Sequence, residues 1–232
     1  DQIVMARNEG IELVAVATAM QGSPQAFMFH EGHGITDFEE LNGREVFIQP
    51  GIIYWEYLKS QYDLSGVKEL AYTGQHVNFI PKVESVTQAF LTSEPYFMEL
   101  ENVPVESKLI SDAGYDPYNV VLYVTKDYLA ENEATVKAFT TAFIEGWNLY
   151  KDSYEEINKL VQKDNPDIEL ASLKFEAEAQ ESFVYGMDAA ENGVGFMTEQ
   201  RWATLIEQLH DLELLDETFD AKEIFTTDYL PE

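Results

Sequence analysis

Cysteine is absent from the 232 residues of this chain. Its absence excludes disulfide bonds, thiolate metal sites and cysteine nucleophiles in this segment. Long hydrophobic runs are also missing, since no apolar stretch approaches the roughly 20 residues that a membrane-spanning helix needs. Stability must therefore come from non-covalent packing, and any chemistry must do without a thiolate.

Positive charge is scarce in the chain. It has 14 Lys and Arg residues against 43 Asp and Glu residues, a formal net charge of -29. A surface of this sign repels phosphate backbones and anionic lipids, so nucleic acid and an anionic membrane surface are excluded as electrostatic partners. Arg7, Arg44 and Arg201 are the only arginines, which leaves few groups for bidentate recognition of an anionic ligand. The acidic surface fits a saline habitat or simply an acidic lineage.

The chain offers few catalytic or metal-ligating patterns. Its histidines are His30, His33, His76 and His210. None is near a nucleophile elbow or a helical partner, so no Ser-His-Asp arrangement is indicated. The run H-E-G-H at 30–33 lacks the two helical histidines, four residues apart, of a zinc protease, and its glycine predicts a turn. We therefore predict no catalytic residue, no metal site and no cofactor.

Helical and strand patterns alternate along the chain, as they do in α/β proteins. Residues 11–20, I-E-L-V-A-V-A-T-A-M, are apolar in the middle, which is typical of a buried parallel strand. The pattern predicts helices at about 78–91 and at 131–150, the second with an apolar stripe. The 45% hydrophobic fraction agrees with a folded globular protein.

The stretch from residue 92 to residue 128 holds the most informative polar groups. Glu94 precedes Pro95 and Tyr96, and a residue before proline favours extended geometry. We therefore expect Glu94 to end or interrupt a helix and to project its carboxylate into a cleft. Tyr115 and Tyr118 precede a run of strand formers. Aromatic faces and one acceptor suit a flat, nitrogen-rich ring, although ordinary turns with buried tyrosine rings are the alternative.

A second group of candidates follows a predicted strand at residues 44–50. Gln49 leads through a Pro-Gly turn into a helix whose first turn carries Tyr54 and Trp55. Such a turn lies at the carboxyl end of a sheet, where open α/β folds bind ligands. Tyr54 and Trp55 are therefore pocket candidates, with core packing as the alternative for Trp55.

Four motifs carry a family resemblance: S-E-P-Y, D-A-G-Y-D-P-Y, E-G-W and G-F-M-T-E-Q-R-W. Their order and spacing resemble the NMT1/THI5-like, ThiY/SsuA-type substrate-binding proteins of ABC transporters. The resemblance covers nearly the whole chain and implies a two-lobed α/β fold of the periplasmic-binding-protein type II class. It places 1–34 in the first lobe, 35–112 in the second, and 113–232 in the return to the first lobe with the C-terminal helices. It also implies an N-terminally truncated chain, with the first lobe incomplete and about a third of a full-length member preceding Asp1.

The resemblance implies a transport function rather than an enzymatic one. The expected protein is extracytoplasmic or periplasmic, captures a small heteroaromatic such as a thiamin-precursor pyrimidine between its lobes, and delivers it to an ABC permease. Its contact with a membrane would be through the permease or an unseen N-terminal anchor. The loop with Gln21 and Ser23 would face the cleft. The expected ligand-binding residues are Gln21, Ser23, Gln49, Tyr54, Trp55, Glu94, Tyr96, Tyr115 and Tyr118.

Other functions remain open from the sequence. The THI5 branch of the same superfamily is an enzyme that makes the thiamin pyrimidine and carries a cysteine-rich C-C-C-F-C motif, which has no counterpart here. Binding of a sulfonate or a flavin is the other alternative. A sulfonate would require arginines or bare helix N-termini, and arginines are few.

Overall fold

The computed structural model describes residues 1–231. The helices of this part are α1 (Gln2–Asn8), α2 (Ile53–Gln61), α3 (Glu94–Leu100), α4 (Lys126–Glu131), α5 (Glu133–Asp164), α6 (Leu170–Tyr185), α7 (Ala189–Asn192) and α8 (Glu199–Asp211). The strands are β1 (Leu13–Met20), β2 (Gln25–His30), β3 (Glu45–Ile48), β4 (Lys68–Ala71), β5 (Val86–Phe90), β6 (Val105–Leu109) and β7 (Asn119–Thr125). The mixture of helices and strands agrees with the α/β class predicted from the sequence.

The chain divides into two units. Unit 1 comprises Asp1–Ser23 and Pro117–Glu232, and unit 2 is Pro24–Asp116. The chain therefore leaves unit 1 once and returns to it once. Residues 24–34, assigned to the first lobe from the sequence, lie in unit 2 because β2 pairs with two strands of that unit. Residues 113–116, assigned to the return, lie in unit 2 as well.

Unit 2 is built on a five-stranded sheet with the order β4-β3-β5-β2-β6. Strand β3 is parallel to β4 and β5, whereas β2 is antiparallel to β5 and β6. Four strands thus point the same way and end at one edge, where β2 begins. We call this the carboxyl edge of unit 2; it is marked by the ends of β3, β4, β5 and β6 and by Gln25.

The helix predicted at residues 78–91 is wrong, because Val86–Phe90 forms strand β5. This strand lies in the middle of the sheet, and four of its five residues are buried. Pairing with β2 and β3 satisfies its backbone groups, and sheet context overrides a weak local preference. The residues before β5 form turns rather than a first helical turn around Pro81.

Both faces of the unit 2 sheet are covered. Alternate residues of a strand point to opposite faces, so neighbours in β2 belong to different clusters. On one face the buried cluster is Met28, Phe47, Phe79, Ala89 and Met98. On the other face Phe27 meets Phe38, Tyr54 and Trp55 edge-on. Burial on both faces anchors the carboxyl edge of the sheet.

Unit 1 contains the strand pair β1 and β7. Seven of the eight residues of β1 are buried, in keeping with its apolar sequence. The sequence predicted that β1 is a parallel strand, and this prediction is wrong for its pairing with β7, which is antiparallel. A single parallel bridge joins Ala15 to Phe225. A continuous apolar run indicates that a strand is buried on both faces, but burial alone does not determine whether the strand is parallel or antiparallel to its neighbour.

The helix predicted at 131–150 is confirmed in type but extends much further. Helix α5 has 32 residues and is kinked at Ser153, whose φ and ψ are not helical. Within residues 1–231, no helix combines the length and the apolarity required to cross a membrane.

Candidate functional site

Five polar side chains come together at the carboxyl edge of unit 2. They belong to the start of β2, the first turn of α2, the segment after β4, the following loop and the first turn of α3. Strand ends and helix starts converge at this edge because four strands share one direction. We call this group the edge cluster; its members are Gln25, Tyr54, Tyr72, His76 and Glu94.

Glu94 occupies the first position of α3 rather than the end of an earlier helix. The sequence expectation was wrong on this point because the segment before it is strand β5. Pro95 lies in the first turn, where its missing N–H is not needed. The Oε2 atom of Glu94 accepts a hydrogen bond from the backbone N–H of Phe90 at 2.8 Å. This bond holds the carboxylate at the end of β5, beside the start of β2.

Tyr72 and His76 place their rings next to Glu94. The two ring centroids are 5.5 Å apart and the rings are tilted by 56°. Burial raises the pKa of Tyr72 to about 12, and the charge of Glu94 and a hydrogen bond to it act in the same direction. Burial lowers the pKa of His76, although the charge of Glu94 opposes this shift. Near neutral pH the cluster therefore holds a neutral phenol and a neutral imidazole.

Tyr54 and Trp55 are largely part of the core. Their exposed fractions are 4% and 3%, and both rings lie edge-on to Phe27. Burial raises the pKa of Tyr54. Its hydroxyl lies beside the Gln25 side chain without a hydrogen bond of normal geometry. Tyr54 therefore reaches the edge cluster through its hydroxyl, while Trp55 packs in the core.

Tyr115 also lies in unit 2, packed against α2. Its ring centroid is 5.2 Å from that of Tyr57, and burial raises its pKa. The Tyr57 hydroxyl donates to the carbonyl of Ala113 at 3.1 Å. Gly114 has φ +94°, and a Cβ there would meet that hydroxyl at 3.1 Å. The turn therefore requires glycine at position 114. Tyr115, which follows it, is 3% exposed and is thus part of the core of unit 2.

Two further candidates lie near the same edge of unit 2. Tyr96 is half-buried on α3, with its ring 5.7 Å from that of Phe97. Gln49 is exposed, and its backbone N–H donates to Oε1 of Gln88 at 2.6 Å. The Gln88 side chain therefore links the turn after β3 to strand β5.

Tyr118 lies in unit 1, at the start of α8. Its hydroxyl accepts a hydrogen bond from the backbone N–H of Thr198 at 2.8 Å. The guanidinium of Arg201 lies 4.1 Å from the centre of the Tyr118 ring, and the Trp202 ring is 5.7 Å away. Cation–π contact of this kind contributes about 0.5–1 kcal/mol at a partly exposed site. Tyr118 thus organises the beginning of a helix.

Gln21 and Ser23 are both buried in unit 1. The Gln21 Nε2 group donates to the carbonyl of Phe196 at 2.9 Å, and its backbone N–H donates to Phe183 at 2.6 Å. The Gln21 Oε1 atom is buried without a hydrogen-bond partner. The nine candidates from the sequence are thus divided between the units, three in unit 1 and six in unit 2.

Tyr72 and His76 were missed in the sequence analysis. Their signal was the strand K-E-L-A followed by Y-T-G-Q-H, a strand ending in small and polar residues at a sheet edge. Within residues 1–231, no three His, Cys, Asp or Glu side chains are grouped in a way that could hold a metal ion.

Comparisons with known proteins give one family match and several similar structures. The family model described as NMT1/THI5 like matches residues 1–157. The riboflavin-binding protein RibY of Chloroflexus aurantiacus is 23% identical over 240 residues, which cover 99% of this chain and 68% of RibY. The periplasmic aliphatic sulphonate binding protein SsuA from Escherichia coli has a TM-score of 0.69 at 14% identity, covering 95% of this chain and 71% of SsuA. The desulfurization enzyme DSZB has a TM-score of 0.56 at 13% identity, covering 97% of this chain and 81% of DSZB. These structural similarities confirm the predicted periplasmic-binding-protein fold.

Proposed function

Because this chain belongs to the NMT1/THI5-like family, we propose that it is the extracytoplasmic solute-binding protein of an ABC importer. We further propose that its solute is a small heteroaromatic amine, such as a thiamin-precursor pyrimidine, and that it delivers this solute to a permease. Within unit 2, the edge cluster is the part of the site that recognises the ligand.

The binding role is supported by the chemistry of the edge cluster. Its groups can accept, donate and stack, but none is an activated nucleophile, and cysteine is absent. The fold itself does not decide between binding and catalysis, since SsuA and DSZB share it. RibY and SsuA, both named as binding proteins, support transport over the enzymatic alternative.

The position of Glu94 is the observation that most supports a heteroaromatic amine as the ligand. Its carboxylate is fixed at the carboxyl edge of unit 2 by the Phe90 N–H and stands beside two aromatic rings. A carboxylate accepts N–H groups strongly, and an aromatic pair adds about 0.5–1.5 kcal/mol beyond the burial of area. An aminopyrimidine presents both an amine and a flat face, so it matches both features.

The two alternative ligand classes match the edge cluster less well. A sulfonate has only acceptor oxygens, and the charge of Glu94 would repel it. Within residues 1–231, no Lys or Arg is among the groups that shift the pKa of Tyr72 or His76. A flavin has a flat face but presents a single ring N–H between two carbonyls. The name of the relative RibY keeps a flavin as the second candidate.

Isothermal titration calorimetry with three probes tests this proposal: the hydroxymethyl aminopyrimidine precursor of thiamin, riboflavin and an alkanesulfonate. We expect the aminopyrimidine to bind most tightly. Glu94→Gln should weaken its binding about tenfold, because a charged acceptor exceeds a neutral one by about 1 kcal/mol or more. Glu99→Gln is the matched control, since Glu99 is an exposed residue of the same helix. Preference for riboflavin or the sulfonate, or unchanged affinity in Glu94→Gln, would overturn the assignment.

A further inference from the structure

Strands β3 and β5 separate at the carboxyl edge of unit 2. Their parallel ladder ends at Phe47 of β3, and the next backbone N–H groups along this side are satisfied by side chains. Oε1 of Gln88 accepts the N–H of Gln49 at 2.6 Å. Oε2 of Glu94 accepts the N–H of Phe90 at 2.8 Å. We call the opening between the two strand ends the β3–β5 gap; it is marked by the N–H groups of Gln49 and Phe90.

An amide and a carboxylate share the β3–β5 gap. The N–H of Leu91 donates to the carbonyl of Pro24 at 2.8 Å, directly before β2. Because backbone groups of successive strand residues point to alternate sides, the preceding Phe90 N–H points away from β2 and toward β3. The carboxylate of Glu94 is bound on that side. The Gln88 amide crosses the same gap, since it reaches from β5 to the residue that follows β3.

The bond to Gln49 fixes the orientation of the Gln88 amide. A backbone N–H only donates, so the atom that meets it is the amide oxygen, and the Nε2 group faces elsewhere. Within residues 1–231, this Nε2 group donates to no acceptor. It is not among the enclosed side-chain atoms that lack a partner, so the small exposed fraction of Gln88, 6%, includes this donor. The donor is therefore held in one orientation and remains accessible to a ligand.

We propose that Gln88 is a specificity-determining residue, whose Nε2 group donates to an acceptor atom of the ligand next to the N–H that Glu94 accepts. This inference rests on the proposed function and extends it. A donor and an acceptor in one gap select a ligand edge on which an N–H adjoins an acceptor. In an aminopyrimidine the acceptor is the ring nitrogen beside the amine, and in a flavin it is a carbonyl beside the ring N–H. An aniline lacks the acceptor, and a sulfonate lacks the N–H.

Gln88→Glu separates this role from the structural link to Gln49. The new carboxylate keeps an oxygen for the Gln49 N–H but has no N–H of its own, so the substitution removes only the donor. Calorimetry with the hydroxymethyl aminopyrimidine precursor of thiamin is carried out above neutral pH, where the carboxylate and the ring nitrogen are both unprotonated. We expect affinity to fall about tenfold or more, because a hydrogen bond is replaced by repulsion between two acceptors. Gln61→Glu, which adds the same charge at an exposed position of α2, should leave affinity unchanged.

A second ligand tests the partner of the Gln88 amide directly. The aniline analogue of the precursor keeps the amine and the hydroxymethyl group, but C–H groups replace both ring nitrogens. We expect the wild-type protein to bind this analogue about three- to tenfold more weakly than the precursor, since Nε2 of Gln88 loses its acceptor. Gln88→Glu should lose this preference for the precursor. The ratio of the two affinities, compared between wild type and variant, isolates the contact from changes common to both ligands.

Two results would overturn the role of Gln88 while leaving the proposed function intact. One is wild-type affinity for the precursor in Gln88→Glu, and the other is an unchanged preference for the precursor over its aniline analogue in that variant. Failure of the wild-type protein to bind either the precursor or riboflavin would overturn the proposed function and this inference with it. Circular dichroism establishes that each variant is folded. Gln88→Met, a neutral side chain of similar length without an N–H, provides the same ratio if the glutamate variant does not fold.

Discussion

Individual tyrosines of this protein have different tasks that their sequence context does not distinguish. Tyr115 and Tyr118 stand three residues apart in one motif, yet the first packs in unit 2 and the second in unit 1. Tyr115 fills space against Tyr57, whereas Tyr118 accepts a hydrogen bond from Thr198. The neighbouring groups, rather than the motif, decide whether a tyrosine contributes its ring or its hydroxyl.

The Tyr118 hydroxyl should therefore contribute to stability. We expect Tyr118→Phe to lower the free energy of unfolding by about 0.5–1.5 kcal/mol, because the Thr198 N–H loses its acceptor. Urea denaturation followed by circular dichroism measures the change. Tyr123→Phe is the control, since Tyr123 is 51% exposed on β7. Equal stability of the two variants would show that the bond to Thr198 contributes nothing.

Helix α5 illustrates how an element can carry an unsatisfied group. Its Thr140 side chain is fully buried, and its hydroxyl has no partner. The residue lines an apolar cavity of about 220 Å³ in unit 1, together with Val16, Val136 and Phe139. The next residue, Thr141, instead donates to the Lys137 carbonyl at 2.9 Å. Adjacent threonines on one helix thus differ in whether their hydroxyls are satisfied.

Replacing Thr140 by valine should stabilise the protein. The substitution keeps the shape and the helix propensity while removing a buried hydroxyl, so we expect a gain of about 1 kcal/mol. The same change at Thr141 removes an existing hydrogen bond and should give no gain. Thermal unfolding of both variants, measured in parallel, checks the difference. A Thr140→Val protein that melts below the wild type would contradict this account of α5.

The molecule as a whole carries far more negative than positive charge, with a formal net charge of -29. Several of its few cations are already engaged in exposed ion pairs, among them Lys68 and Lys82 with Glu45. Exposed pairs contribute little, about 0–1 kcal/mol. The remaining carboxylates repel one another and oppose the compact state.

Salt should therefore stabilise the protein by screening this repulsion. Between about 0.01 M and 0.1 M NaCl the screening length falls from about 30 Å to about 10 Å. We expect the melting temperature to rise by a few degrees, since about 1 kcal/mol corresponds to about 2–4 °C at this size. A variant with Glu9, Glu101 and Glu207 changed to Gln should show a smaller rise. A melting temperature that is insensitive to salt, or that falls, would refute the argument.

Local signals in the sequence were sufficient for the class of the protein. Alternating patterns predicted α/β structure, and the motifs identified the family that the comparisons later matched. The acidic balance is a sum over residues and needs no structure. Glu94 could be selected because Pro95 and Tyr96 follow it directly. These properties depend on neighbouring residues or on composition, so they can be read without knowing the fold.

Only the tertiary structure decided which groups surround Glu94. Residues 86–90 form a strand because they pair with β2 and β3, and this moved Glu94 to the start of α3. Tyr72 and His76 meet Glu94 because strands distant in sequence end at the same edge. Strand order and direction depend on pairing between distant segments, which local periodicity does not encode. The sequence therefore determined the fold class and was sufficient to select Glu94 as a candidate, whereas the sheet determined the neighbours of Glu94.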